Sequence, residues 1–228
     1  VSLIERVGRG ITLTPAGLDV LEHARTMGQA AERLRLVADG RSSALTGTVG
    51  ISASELVATT FLPPILGRIR EHAPGLRLDV IATNDRSDLR RREADIAVRN
   101  MAPGDPELIA RRLSDRRARF YASKRYLDLR GRPSAVAEVS GHAFIGFADV
   151  ETFIRHLSGL GLPVTEEAFV LTSESQAVQW EVMRRGQGIG VMMEEIGDAD
   201  PDMERVLTWV PPITYPMWLV SHRELRMS

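Results

Sequence analysis

The chain has 228 residues, 43% of them hydrophobic, and a formal net charge of −1, so it is large enough for one to two globular domains and has no overall charge driving it to nucleic acid or an anionic membrane. It contains no cysteine, which excludes disulfides, thiolate metal sites and thiol nucleophiles together. No apolar run approaches the roughly 20 residues of a membrane span and no signal-like stretch opens the chain, so a cytoplasmic protein without a membrane partner is expected.

Residues 1–15 predict two short strands around a Gly8-Arg9-Gly10 turn, with Ile11 and Leu13 alternating against Thr12 and Thr14. Arginines beside a glycine turn are ordinarily just solvated. At Thr14-Pro15 the pattern changes to a helix start, a capping hydroxyl followed by proline at the first helical position. Val20, Ala24, Met27, Ala31, Leu34 and Ala38 then form a heptad seam, predicting a helix from about Ala16 to Asp39, about 35 Å long. Its other faces carry Asp19, Glu22, Arg25, Glu32, Arg33 and Arg35, so the narrow stripe suits a partner helix better than a core; a helix lying on its own domain is the plainer alternative. Gly40 to Gly47 reads as a linker.

Thr48–Ser52 is a strand, and Leu56, Phe61, Leu62, Ile65, Leu66 and Ile69 continue at helical spacing towards His72, so a turn carrying Ser52 and Ser54 joins strand to helix. Backbone N–H groups left free at the carboxyl end of a strand are where open α/β sheets place ligands. Ser54 acting only as a helix cap is the bland reading. A second strand over 75–82, with Leu76, Leu78 and Val80 on one face, ends at Thr83-Asn84-Asp85. A short Arg-rich helix, Ser87 to Glu93, leads to an apolar strand over 94–99 that ends at Arg99-Asn100-Met101. Arg90, Arg91 and Arg92 stand among Asp88, Glu93 and Asp95, which fits an exposed face or a subunit contact rather than a phosphate patch.

Further on, residues 108–113 are a first piece and 118–123 a second that is a strand, and strands are also expected over 143–147, 168–171 and 217–221. A short helix carries Tyr126 and Leu127, and Phe153, Ile154 and Leu157 begin another that runs into the Gly-rich turn 158–163. A third helix opens after Thr172, with Ser173 and Gln176 at capping-box spacing. Gly186-Gln-Gly-Ile-Gly190 leads from that helix into a strand, the reverse of the order a dinucleotide fingerprint needs. Alternating strands and helices in both halves predict an α/β, doubly wound architecture.

The succession Ile4-Glu-Arg-Val-Gly-Arg-Gly-Ile-Thr-Leu-Thr-Pro-Ala-Gly17, the long helix, Gly47-Thr-Val-Gly-Ile-Ser-Ala-Ser54 and Phe61-Leu-Pro-Pro-Ile-Leu66 resembles the LysR-type transcriptional regulators. The resemblance implies a winged-helix remnant over 1–15 and a dimerising linker helix and hinge over 16–46. It further implies an effector-binding domain over 47–228, built as two doubly wound subdomains of periplasmic-binding-protein type. Subdomain I is expected over 47–118 and 219–228, and subdomain II over 119–218. Against the family pattern the chain is expected to enter inside the wing, downstream of the recognition helix, and to stop before the final helix. The resemblance implies promoter DNA, a homodimer or homotetramer, RNA polymerase and a small-molecule effector as partners, with no cofactor and no metal. Arg6, Arg9, Thr12 and Thr14 are its candidate DNA contacts. The effector, small and polar or anionic, is expected between the subdomains, with Ser52, Ser54, Asn84, Arg99 and Asn100 on one side and Gly146, Phe147, Ser173 and Ser175 on the other. Helix N-termini at Ser54 and Ser173 would face it.

Catalysis is not expected. His23, His72, His142, His156 and His222 lie in separate elements, and neither a nucleophile elbow nor a phosphate-binding Gly-x-x-x-x-Gly-Lys loop is present. Glu166-Glu167 and Glu194-Glu195 are adjacent carboxylates that point apart on a strand or a helix. A solute-binding receptor is the alternative function; it would account for a cleft but not for residues 1–40.

Overall fold

In the computed structural model, which describes residues 2–7, 10–38, 45–84 and 94–222, a hairpin opens the chain. Its strands β1 (Ile4–Val7) and β2 (Gly10–Leu13) are antiparallel, with Glu5 opposite Thr12 and Arg6 opposite Ile11. Helix α1 (Pro15–Ala38) follows where the Thr14-Pro15 signal places it. The Thr14 hydroxyl accepts from the Gly17 N–H at 3.1 Å and donates to the Ser2 carbonyl at 2.7 Å, so it caps the helix and ties it to the start of the hairpin. A Cβ on Gly17 would lie 1.9 Å from the Leu3 carbonyl oxygen, so only glycine allows that approach. On α1, Val20 is 48% exposed and Met27 72% exposed. Arg9, most of the linker (39–44), the Arg-rich stretch (85–93) and residues 223–228 lie outside the described residues.

The described chain divides into two compact units, one of residues 1–48 with 69–77 and the other of residues 49–68 with 78–228. The second is built on a mixed seven-stranded sheet. Strands β3 (Gly47–Ala53), β4 (Leu76–Ala82) and β5 (Ile96–Arg99) form one side of it, with β3 and β5 parallel and Ser52 beside Ala97. Strands β6 (Leu108–Ser123) and β11 (Ile213–His222) run antiparallel down its middle. The sequence suggests two pieces over 108–123; the structure has one strand of 16 residues, because pairing with β11 carries the ladder through the polar stretch Arg111–Arg117.

Two helices replace the single one expected over 55–72. Helix α2 (Glu55–Thr60) ends at Phe61, and α3 (Leu62–His72) starts afresh. Pro63 and Pro64 have no N–H for the carbonyls of Thr59 and Thr60, so an unbroken helix would lose two successive bonds and kink, whereas both fit the first turn of a new one. On β4, Leu76 and Leu78 are half-buried as expected, but Val80 is 38% exposed and Ile81 takes the inward place.

The far half holds α4 (Lys124–Arg130), α5 (Val136–Val139), β7 (Phe144–Gly146), α6 (Val150–Gly159), β8 (Phe169–Thr172), α7 (Gln176–Arg184), β9 (Gly190–Met193), α8 (Glu194–Gly197) and β10 (Met203–Val206). Strands β7 and β8 are a parallel pair, and β9 and β10 both lie on the end of β6. We call the half with β3 to β5 the first lobe and the half with β7 to β9 the second. Phe120, Leu127, Phe144, Leu157 and Ile189 fill the second lobe's own core. A separate core joins the lobes: Ile51, Leu56, Val57 and Leu62 pack with Tyr121, Trp180 and five methionines, Met183, Met192, Met193, Met203 and Met217. Methionine is the apolar side chain that best tolerates repacking.

Candidate functional site

The polar groups above this shared core come from the carboxyl ends of β3, β4 and β5 in the first lobe and from the loop between β8 and α7 in the second. Ser52 lies within β3 and is fully buried, not in the turn expected from sequence. Its hydroxyl accepts from the Arg99 guanidinium at 2.7 Å, so two expected site residues meet across the parallel β3 and β5. Arg99 also donates to the Val98 carbonyl at 3.0 Å, which holds the guanidinium at the sheet edge. Asn100 follows it, exposed.

Ser54 is the N-cap of α2 by backbone position, its carbonyl accepting from the Ala58 N–H at 2.8 Å, but its side chain makes no capping bond. The first amide of α2, that of Glu55, donates instead to the Asn84 side-chain oxygen at 3.3 Å. Asn84 thus does from β4's end what Ser54 was expected to do.

In the second lobe the cap of α7 is Ser175, not Ser173. The Ser175 hydroxyl accepts from the Val178 N–H at 3.5 Å. Ser173 stands two residues earlier and accepts from the Ser175 N–H at 3.1 Å, while its carbonyl takes the Gln179 amide at 2.6 Å. Local side-chain turns of this kind shift a helix start away from the residue that capping-box spacing selects. Gly146 is buried and its carbonyl accepts from the Ser173 N–H at 3.0 Å. A Cβ there would be 2.6 Å from the Phe169 ring, so internal packing accounts for this glycine. Phe147 packs edge-on against Phe153 at 5.3 Å.

One residue that sequence reasoning did not single out connects the lobes. The Glu55 carboxylate accepts from the Ser175 hydroxyl at 2.5 Å and from the Asn84 amide at 3.3 Å, and that amide also donates to the Glu174 carbonyl at 3.2 Å. An acidic residue in the first turn of a helix looks from sequence like a dipole match and nothing more. Only the approach of α7 to α2 reveals its second role.

Of the candidate DNA contacts, Arg6 and Thr12 are exposed on the hairpin, and the Thr14 hydroxyl is engaged at Ser2 and Gly17. Among the described residues no group of three His, Asp or Glu is placed to hold a metal ion, and no helix is long and apolar enough to cross a membrane.

Two α/β lobes sharing a long antiparallel strand pair, with polar groups of both meeting at the seam, define a domain of periplasmic-binding-protein type. A family model for the LysR substrate binding domain matches residues 42–228. The chain belongs to the LysR-type regulator family. It is 29% identical over 151 residues to the HTH-type transcriptional regulator CrgA of Neisseria meningitidis serogroup B, covering 65% of this chain and 50% of that protein. It is 26% identical over 193 residues to the transcriptional activator AaeR of Escherichia coli K12, covering 83% of this chain and 62% of that protein. The chain spans about half the length of the curated relatives it matches. Among solved structures, the regulatory domain of Neisseria meningitidis CrgA superposes with a TM-score of 0.71 at 22% identity, covering 81% of this chain and 93% of that one. Full-length AphB of Vibrio cholerae superposes with a TM-score of 0.66 at 20% identity, covering 98% of this chain and 78% of that one.

Proposed function

We propose that the chain is the sensing part of a cytoplasmic, LysR-type DNA-binding transcriptional regulator, and that it binds a small polar or anionic effector at the seam between the lobes. The observation that carries the reading is the meeting of Asn84 and Glu55 of one lobe with Glu174 and Ser175 of the other at the carboxyl edge of the sheet. A ligand gripping groups on both lobes changes their relative disposition, since β6 and β11 connect them and act as the hinge. Arg99 and Ser52 supply the cationic and hydroxyl groups of the first lobe, and Ser173 and Ser175 those of the second.

The rest of the assignment follows from the other unit. The uncovered α1 stripe pairs with α1 of a second copy, giving a homodimer or higher oligomer. In the whole regulator Arg6 and Arg9 contact DNA phosphate, which fixes register without reading sequence, and RNA polymerase is the downstream partner. Two mycobacterial relatives are named probable hydrogen peroxide-inducible genes activators, one of them 36% identical over 81 residues. These 228 residues have no cysteine, so a thiol cannot read such a signal here. The reading has no catalytic step and needs no cofactor.

The test is a thermal-shift screen of a metabolite library, followed by calorimetry of the hits on Arg99→Ala and Ser173→Ala. Loss of a charge-assisted contact at Arg99 weakens binding about tenfold or more. Hits whose affinity neither change alters would place the site elsewhere.

A further inference from the structure

Glu55 belongs to the first lobe, yet its carboxylate holds the second. This inference rests on the seam being the effector site, and it concerns what that site does to itself. One carboxylate oxygen of Glu55 takes both the Ser175 hydroxyl, at 2.5 Å, and the Asn84 amide, at 3.3 Å. Four acids of the second lobe are matched with arginine, Glu194 with Arg117 and Arg119, Glu195 with Arg116, Glu204 with Arg132, and Asp200 with Arg184, while Glu138 and Asp149 accept from donors of their own lobe, Ser134 and Thr152. Glu55 meets neutral donors, the ones an incoming ligand would be expected to use.

We propose that Glu55 is an internal tie that keeps the seam shut, and that an effector bearing a carboxylate gains Ser175 and Asn84 by displacing it. A hydrogen bond from a hydroxyl to an ionised carboxylate is about twice as strong as a neutral one, so this contact is the strong directional bond between α2 and α7. The core beneath is rich in methionine and repacks readily, so it opposes opening without specifying geometry. Displacement exchanges one carboxylate for another on the same donors. The gain must therefore come from the rest of the ligand, which makes Glu55 a filter against carboxylates too small to make further contacts.

Hydrogen exchange read by mass spectrometry on the full 228-residue chain tests this without any known effector. In Glu55→Ala, amides 173–182 should exchange about tenfold faster than in the parent, while 118–127, whose buried side chains other than Tyr121 lie mostly in the second lobe's own core, stay unchanged. Glu55→Gln, which keeps an acceptor oxygen but not the charge, should give a smaller acceleration in the same peptide. Sodium acetate should restore the protection of 173–182 in Glu55→Ala and leave the parent unaffected. Unchanged exchange at 173–182 in both variants would show that Glu55 ties nothing, and acceleration that acetate does not reverse would refute displacement by a foreign carboxylate. Should Glu55→Ala fold poorly, acceleration at 118–127 will reveal it and Glu55→Gln decides the first point by itself, with acetate then tested on that variant. An effector found in the library screen that depends on Arg99 but not on Glu55 would overturn the tie and leave the proposed site standing.

Discussion

His142 is a buried side chain through which pH should act on the stability of this fold. It lies with Nδ1 3.2 Å from the Tyr126 hydroxyl, which also accepts from the Ala143 N–H at 2.9 Å. Burial first, and then the charge of Arg130, hold the imidazole below its usual pKa, with Glu138 acting in the opposite direction. The unfolded chain therefore takes up this proton before the folded one as pH falls through about 6.5. The contribution is intact above that pH and is lost below it. Thermal unfolding should show a melting temperature that drops between about pH 7.5 and about pH 5.5, and His142→Gln should flatten that part of the profile. Glu194 poses a second residue-scale test. Its buried carboxylate lies 2.9 Å from Arg117 and 2.5 Å from Arg119. Glu194→Ala strands the Arg119 charge and should cost about 2 kcal/mol in urea unfolding, less than a fully buried pair because Arg117 stays in water.

At the scale of elements, the helix start at Ser175 serves two purposes, capping α7 and meeting Glu55. Ser175→Ala should lower stability by about 1 kcal/mol for the lost cap and also speed exchange at residues 54–60 across the seam. Ser175→Asn, another good cap, should restore stability more fully than it restores that protection. The close approach at Gly197, where a Cβ would lie 2.2 Å from the Tyr121 ring, is equally local. Gly197→Ala should cost about 1–3 kcal/mol by equilibrium denaturation.

Most of this architecture was legible from patterns confined to one segment: the hairpin, the Thr14-Pro15 start of α1, the apolar alternation of β3, and the helix-to-strand turn at Gly186, whose φ is +79°. Apolar period misled over 55–72, because Pro63 and Pro64 were weighed less than the spacing of Leu56, Phe61 and Leu62. The candidate site was legible in part. Ser52 with Arg99, and Asn84 with Ser175, are brought together, but Glu55 was missed because its partners are 29 and 120 residues away. Capping-box spacing chose Ser173 over Ser175 for want of any sign that Ser173 closes a turn of its own.

In the proposed function the second unit senses the effector and helix α1 of the first unit mediates pairing of copies. In the first unit Leu18, Val20 and Met27 stand exposed on α1, and the proposed pairing with a second copy would bury them. Light scattering after size exclusion should give a dimer or larger, and Val20→Glu with Met27→Glu should shift it towards monomer. Removing residues 1–45 should have the same effect while leaving effector binding in place. The central claim is that one ligand per subunit sits between the lobes of the second unit. Native mass spectrometry with a hit from the metabolite screen tests it most directly. One bound molecule per subunit in the parent, and none at the same concentration when Arg99→Ala and Ser173→Ala are combined, is the predicted result. Equal occupancy in the parent and the double variant would contradict it.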